Sequence, residues 1–187
     1  METATPTIEK PRWTHPGGKL IEEGPQSLKQ AELLAIVIGS GIPGTSALDL
    51  AKAILEEYIS LYGLFQKKAT VEGLSKIKGV KTAKAERALA AIRIARLLHC
   101  RKHERKKLEA SQWDETELLS RVLGSGIAGH SSRQIAGEIL SRYGSLEGLY
   151  GAPMNKLERI KGLDAVKIIR LAAVFEISYR LNLAFSM

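Results

Sequence analysis

The chain has 187 residues, 44% of them hydrophobic and 5% aromatic, so it can bury a core, and a disordered chain is excluded. Its formal net charge of +8 favours polyanionic partners, and its single cysteine excludes a framework of internal disulfides. No apolar run approaches the roughly 18 residues that a membrane helix needs, and the N-terminus lacks a signal-peptide stretch. We therefore expect a cytoplasmic protein, nucleoid-associated in a bacterium, with no membrane partner.

The predicted elements begin with residues 1–26, where prolines and glycines predict an extended arm. A helical pattern runs over residues 28–38 and stops at Gly39, a natural C-cap. Ser46 then begins another helix, because Asp49 three residues later completes a capping box.

Much of this sequence occurs twice. Residues 31–65 recur at 116–150, and residues 74–98 recur at 157–181. The capping box, for example, returns as Ser131 and Gln134. A repeat of this length indicates two copies of one small folded unit, so function is to be sought in what both copies retain.

Further along each copy, a short helix or turn is predicted after Ser60 and after Ser145, followed by a brief helix and a longer final helix. No segment alternates like a strand for more than a few residues. We therefore predict an all-α protein of two tandem helical lobes, each a bundle of about five short helices. The predicted divisions are an arm at 1–26, a first lobe at 27–99, a basic connector at 100–112 and a second lobe at 113–187.

A glycine-centred turn recurs near the end of each copy: Ile77-Lys78-Gly79-Val80 returns as Ile160-Lys161-Gly162-Leu163. It resembles a helix-hairpin-helix motif, in which the helix after the turn presents unpaired N–H groups and a positive dipole end to a phosphate. The basic side chains around the turns are Lys76, Lys78, Lys81, Lys84 and Arg87 in the first copy, and Arg159, Lys161, Lys167 and Arg170 in the second. Such a surface holds the backbone of nucleic acid without reading its bases.

The motif departs from its usual form at one position in each copy. Its second glycine is Lys81 in the first copy and Asp164 in the second. Lys81 adds a cation for phosphate, whereas Asp164 adds a like charge, so we expect the second site to be the weaker one. The alternative is that both turns only close a helical bundle.

Taken together, these segments resemble the N-terminal helical domain of the RadC family of bacterial proteins. The matching segments are Pro11-Arg12, Leu20 to Pro25, Ala31 to Ile36, Gly39-Ser40-Gly41, Gly44-Thr45-Ser46 with Leu50-Ala51, Ser60 to Leu64 and Ile77-Lys78-Gly79. The resemblance covers residues 11–98 and is fainter over 113–181. It implies a DNA-associated helical module with a role in DNA repair. The family normally continues into a JAB/MPN metalloprotease-like domain with a His-x-His motif, which this sequence lacks, so we expect no peptidase activity.

Four other features each have more than one interpretation. Gly39 to Gly44 fits the G-x-G-x-x-G dinucleotide fingerprint, but the preceding segment reads as helix, which favours a helix-to-helix turn. A second hairpin that contacts DNA is the remaining alternative for this segment. His99, Cys100 and His103 are either metal ligands or solvated side chains. The basic run over 101–107 is either a phosphate contact or a solvated face. Trp13 and Trp113 either stack on bases or pack the incoming chain against a lobe.

From the sequence we predict a non-catalytic protein that binds DNA through its phosphates, without sequence specificity, and that needs no metal or cofactor. Gly79 and Gly162 form its turns. The alternative function is a protein-interaction adaptor in a DNA-processing complex, which would require a protein partner and an exposed apolar patch on the second lobe.

Overall fold

The structure, a computed structural model, describes residues 15–66, 69–99 and 113–186. These ranges are helical apart from turns and two single β-bridges, so the prediction of an all-α protein is confirmed. The first copy contains α1 (Pro16–Glu23), a 3-10 turn (Pro25–Ser27), α2 (Gln30–Ile38), α3 (Ala47–Tyr58), α4 (Leu61–Gln66), α5 (Val71–Ser75) and α6 (Thr82–His99). The second contains α7 (Glu115–Leu123), α8 (Ser132–Tyr143), α9 (Leu146–Tyr150), α10 (Met154–Leu157) and α11 (Ala165–Ser186).

Both predicted capping boxes are confirmed. The Ser46 hydroxyl accepts the Asp49 N–H at 3.1 Å, and the Asp49 carboxylate accepts the Ser46 N–H at the same distance. Ser131 and Gln134 make the same exchange at 3.2 and 2.8 Å. These reciprocal bonds satisfy N–H groups that the first helical turn leaves without partners, so α3 and α8 begin where the sequence indicates.

The prediction of an extended arm is wrong for residues 16–23, which form α1. Pro16 occupies the first helical position, where the fixed φ of proline suits a helix and its missing N–H costs nothing. His15 caps the helix, because its Nδ1 accepts the Gly18 N–H at 3.1 Å. Residues 1–14 lie outside the described ranges.

The two copies share one hydrophobic core. At its centre α6 and α11 pack along each other, with small buried side chains such as Ala88 and Ala91 on one helix and Ala173 on the other. The repeat makes α2 and α7 equivalent helices, and each long helix packs more extensively against the one in the other copy than against the one in its own. Thus α6 packs mainly against α7, and α11 mainly against α2. The repeats therefore exchange their long helices across a common core.

The glycine-rich segment after α2 is a turn between helices, as predicted. Gly39 ends α2 with a positive φ of 89°, and Ile42 and Thr45 then exchange two backbone hydrogen bonds of 2.9 Å around a two-residue turn. In the second copy Ile127 and His130 do the same at 2.8 and 3.0 Å. A dinucleotide site needs a strand before its glycines, and here a helix precedes them.

Candidate nucleic-acid interface

The first glycine turn joins α5 to α6, and its back is packed against the core. Gly79 has a φ of +88°, and the Val80 N–H donates to the carbonyl of Ile77 at 2.9 Å. A Cβ atom on Gly79 would lie 2.8 Å from Cδ2 of Leu50 and 2.9 Å from Cδ1 of Ile42. Both the backbone conformation and the close approach require glycine, so the turn is held rigidly against the start of α3.

The outer side of this turn carries four lysines. Lys76, Lys78 and Lys81 are exposed, and Lys84 is partly buried. Among the residues that the structure describes, none of the four has an ionic partner, and no side chain accepts the N–H groups of the first turn of α6. The positive end of an 18-residue helix and several free ammonium groups therefore face the same solvent.

The second turn has the same backbone but a different helix start. Gly162 has a φ of +91°, and a Cβ there would lie 2.5 Å from Cδ1 of Ile135. Asp164 caps α11: one carboxylate oxygen accepts the Lys167 N–H at 2.9 Å, and the other lies 2.6 Å from Lys167 Nζ. A carboxylate of the protein itself thus occupies the end of α11, where the first copy leaves α6 open.

Electrostatics around Asp164 keep it ionised. Partial burial acts to raise its pKa, but the hydrogen bonds from the side chain and backbone of Lys167, with the charges of Lys167 and Arg170, outweigh burial and hold the pKa below its ordinary value. Because Lys167 is buried and paired, it is not free to bind an external phosphate.

Arg87 and Arg170 hold helix ends inside the protein. The Nη1 of Arg87 donates to the carbonyl of Ile38 at 2.6 Å, at the end of α2. The Nη1 of Arg170 donates to the carbonyls of Val122 and Leu123 at 3.1 and 2.7 Å, at the end of α7. Burial, and next the neighbouring charge of Arg87, lower the pKa of Arg170 to about 10, and burial also lowers the pKa of Arg87.

The residues singled out from the sequence therefore fall into three groups. Lys76, Lys78, Lys81 and Lys84 surround Gly79 on the first turn. Arg159 and Lys161 are exposed beside Gly162 on the second turn. Arg87, Lys167 and Arg170 are engaged within the fold, because each satisfies a carbonyl or a carboxylate of the protein.

Two basic residues near the second turn were missed by the sequence reasoning. A cleft of about 580 Å³ is lined by Arg142, Tyr143, Lys156, Glu158 and Arg159. The repeat aligns Arg142 with Glu57, and Lys156 lies just outside the repeated segments, so a search for cations present in both copies passes over them. A search for positions where the charge differs between the copies could have identified Arg142.

Trp113 is part of the core junction between the copies. Its ring is only 8% exposed and lies between the guanidinium groups of Arg93 and Arg121, at 4.4 and 4.2 Å from their Cζ atoms. Arg121 also pairs with Glu86 on α6 and, at 2.7 Å, with Glu117 on α7. The interpretation that this tryptophan packs the incoming chain is confirmed, and its faces are already covered.

Within the described ranges, no group of three or more histidine, cysteine or acidic residues could hold a metal ion. The side chains of His99, Cys100 and His103, the basic run over 101–107 and Trp13 lie outside the described residues. No helix in the part of the chain that the structure describes is long and apolar enough to cross a membrane.

Comparison with known proteins agrees with the internal repeat. The family model described as UPF0758 N-terminal matches residues 6–86 and again residues 96–169. The chain belongs to the UPF0758 N-terminal family. No solved structure matches it.

Similar proteins of this family occur in several bacteria. The UPF0758 protein of Carboxydothermus hydrogenoformans is 42% identical over 86 residues, which cover 46% of this chain and 37% of the relative. That of Alkaliphilus oremlandii is 42% identical over 92 residues, covering 49% and 37%. That of Desulforudis audaxviator is 43% identical over 89 residues, covering 48% and 38%. The chain thus spans less than two fifths of the length of these curated relatives.

The UPF0758 N-terminal match agrees with the resemblance to the N-terminal domain of the RadC family that the motifs indicate. The first matched segment ends at residue 86 and the second begins at residue 96, so the break between them lies within α6. The family unit is therefore present twice, and the shared core is assembled from both units.

Proposed function

We propose that this protein binds nucleic acid, in the first place DNA, by its sugar–phosphate backbone, through the first glycine turn. The proposed activity is binding without a catalytic step. The observation that carries the proposal is the start of α6, where Lys76, Lys78 and Lys81 are exposed around Gly79 and have no ionic partner within the described part of the chain. A helix N-terminus with free N–H groups and adjacent cations is suited to phosphate.

The contrast between the two copies supports this assignment. Asp164 neutralises the start of α11, while Lys81 at the equivalent position adds charge to the start of α6. The second turn retains Arg159 and Lys161. We therefore propose that it also contacts phosphate, but more weakly than the first turn. Lys167 and Arg170 are left out of the proposed surface because both are buried.

Binding is tested by fluorescence anisotropy with single-stranded, duplex and branched DNA at two salt concentrations. If four lysines each neutralise one phosphate, affinity should fall by about 10²-fold between 50 and 200 mM salt. Lys78→Glu and Lys81→Glu should each weaken binding. Each should also reduce the slope of log affinity against log salt concentration by more than the loss of one phosphate contact would, because the new carboxylate repels phosphate.

The matched control is Lys52→Glu, an equal charge reversal at an exposed position on α3. It changes the net charge by the same amount and isolates the effect of position. Equal losses in Lys52→Glu and Lys78→Glu would show that net charge alone attracts DNA and would refute the site.

The RadC resemblance implies a setting in DNA repair or processing, which we retain as part of the proposal. The alternative function, a protein-interaction adaptor, is favoured by one observation: an apolar cleft of about 590 Å³ lined in part by Leu20, Tyr150, Phe175 and Tyr179. Tyr179, half exposed, lies on the second copy, where that hypothesis expects a contact surface. Tyr179→Glu should abolish capture of a protein partner and leave DNA affinity unchanged if the adaptor function operates.

A further inference from the structure

An open groove of about 590 Å³ lies where α2 and α3 of the first copy meet α11 of the second. The apolar side chains that line it include Ile36, Leu48, Val166 and Ile169, and the guanidinium-bearing residues are Arg87 and Arg170. Val166 is 61% exposed at its edge, so the groove is accessible from solvent. Its volume is in the range of sites that hold small organic ligands.

The two arginines bring positive charge to this groove, and within the described residues Asp164 is the acidic group whose charge acts on Arg170, from beyond ion-pair distance. Arg170 is only 8% exposed, and Arg87 is partly buried beside it. Among the described residues neither forms an ion pair with a carboxylate; their partners are the main-chain carbonyls at the ends of α2 and α7. The Nε of Arg170 is buried without any acceptor in the described part of the chain. An anion in the groove would supply the close counter-charge that the described carboxylates do not provide.

The same positions in the other copy are occupied very differently. The repeat places Arg121 at the position of Ile36, Arg133 at that of Leu48, and Glu86 at that of Ile169. There Arg121 pairs with Glu86, and Arg133 pairs with Glu117. Ion pairs link these elements on that side, whereas the corresponding side chains on the first-copy side are apolar and line an open groove.

We propose that this groove binds a small amphipathic anion, a carboxylate or phosphate ester on an apolar body. The anionic group lies against Arg87 and Arg170, and the apolar body contacts Val166 and Ile169. This site is separate from the lysines of the first turn, and its occupancy does not depend on nucleic-acid binding.

The test is an NMR titration of the intact chain with three probes of equal chain length: octanoate, octyl phosphate and 1-octanol. The two anions should produce saturable shifts in the Nε–H signals of Arg87 and Arg170 and in the methyl signals of Val166 and Ile169. The alcohol should leave the arginine signals unchanged. The stronger of the two anions identifies the headgroup. Equal arginine shifts with octanol, or no saturable shift with either anion at millimolar concentration, would overturn the proposal.

A matched pair of variants separates charge from bulk at the edge of the groove. Val166→Glu and Val166→Lys each replace an exposed side chain near the start of α11 by a longer charged one. Val166→Glu should weaken octanoate binding by about tenfold through repulsion, while Val166→Lys should retain or strengthen it. Circular dichroism checks that both variants fold. Equal affinity in the two variants would contradict an anion-selective groove.

Discussion

Arg87 and Arg170 meet at the junction of the two copies, and each lies against the same two glycines. A Cβ atom on Gly39 would lie 3.0 Å from Nη1 of Arg87 and 3.2 Å from Nη2 of Arg170. A Cβ on Gly124 would lie 3.1 Å from Nη2 of Arg87 and 3.3 Å from Nη1 of Arg170. The negative dipole ends of α2 and α7 thus converge on two cations, which connects the copies through their helix ends.

Replacing Arg170 by leucine should therefore destabilise the whole fold. The substitution removes the donors to the carbonyls of Val122 and Leu123 and leaves these buried acceptors unsatisfied, at a cost of about 2–4 kcal/mol. Urea unfolding measures the loss. Arg159→Leu, at an exposed position, is the control and should change stability by less than about 0.5 kcal/mol. Similar values for the two variants would contradict a structural role for Arg170.

Replacing glycine by alanine should change the unfolding free energy in opposite directions at Gly79, in the first turn, and at Gly137, within a helix. Gly79→Ala should lower the unfolding free energy by about 1–3 kcal/mol, because its φ is positive and the new Cβ meets Leu50 and Ile42. Gly137→Ala, within α8 and with open space around it, should raise it by about 0.5–1 kcal/mol. Thermal unfolding measured by circular dichroism compares the two; a loss at both positions would argue against the described environment of Gly137.

The capping residues could be predicted from the sequence, whereas the roles of the two arginines could not. Ser46 and Ser131 were recognised because a capping box is a local pattern, complete within four residues. The roles of Arg87 and Arg170 are non-local: each bonds a carbonyl more than forty residues away. Because a basic residue occurs at this position in both copies, the sequence suggested phosphate binding. In the structure Arg87 instead binds the end of α2, and Arg170 binds the equivalent end of α7.

The exchange of long helices could not be predicted for a related reason. In a repeat, α2 and α7 offer similar faces, so α6 and α11 have two alternative partners that sequence periodicity does not distinguish. The arm prediction went wrong at Pro16 because proline disfavours a helix interior but is well suited to its first position. Conversely, the difference between Lys81 and Asp164 was visible in the sequence and coincides with the main structural difference between the turns.

The carboxylate of Asp164 should make stability depend on pH in a defined direction. Its pKa is lowered in the folded protein, so its contribution is complete above the unfolded value of about 3.9 and is lost as pH falls through the lower folded value. The difference in unfolding free energy between the parent protein and Asp164→Ala should be at least about 1 kcal/mol at neutral pH, because the variant loses the cap and leaves the buried Lys167 without its carboxylate partner. Urea unfolding from pH 7 to pH 2.5 should show this difference shrinking only at the acidic end. A difference that is constant over the range would exclude an ionised cap.

Exchanging the residues that distinguish the two turns should move the preferred phosphate site from one copy to the other. Asp164→Lys removes the carboxylate at the start of α11 and should raise DNA affinity. The cost in stability should exceed the roughly 1 kcal/mol of a lost cap, because the buried Lys167 also loses its carboxylate partner. Lys81→Asp should lower affinity, because it places an acidic cap on α6. The double exchange keeps the net charge of the parent protein, so the salt dependence of its binding should resemble that of the parent. Lys78→Glu, added to the double exchange, should no longer weaken binding strongly. Anisotropy titrations of the parent protein and these variants provide the measurement. An Asp164→Lys variant that binds no better than Asp164→Ala would show that the second turn cannot accept phosphate.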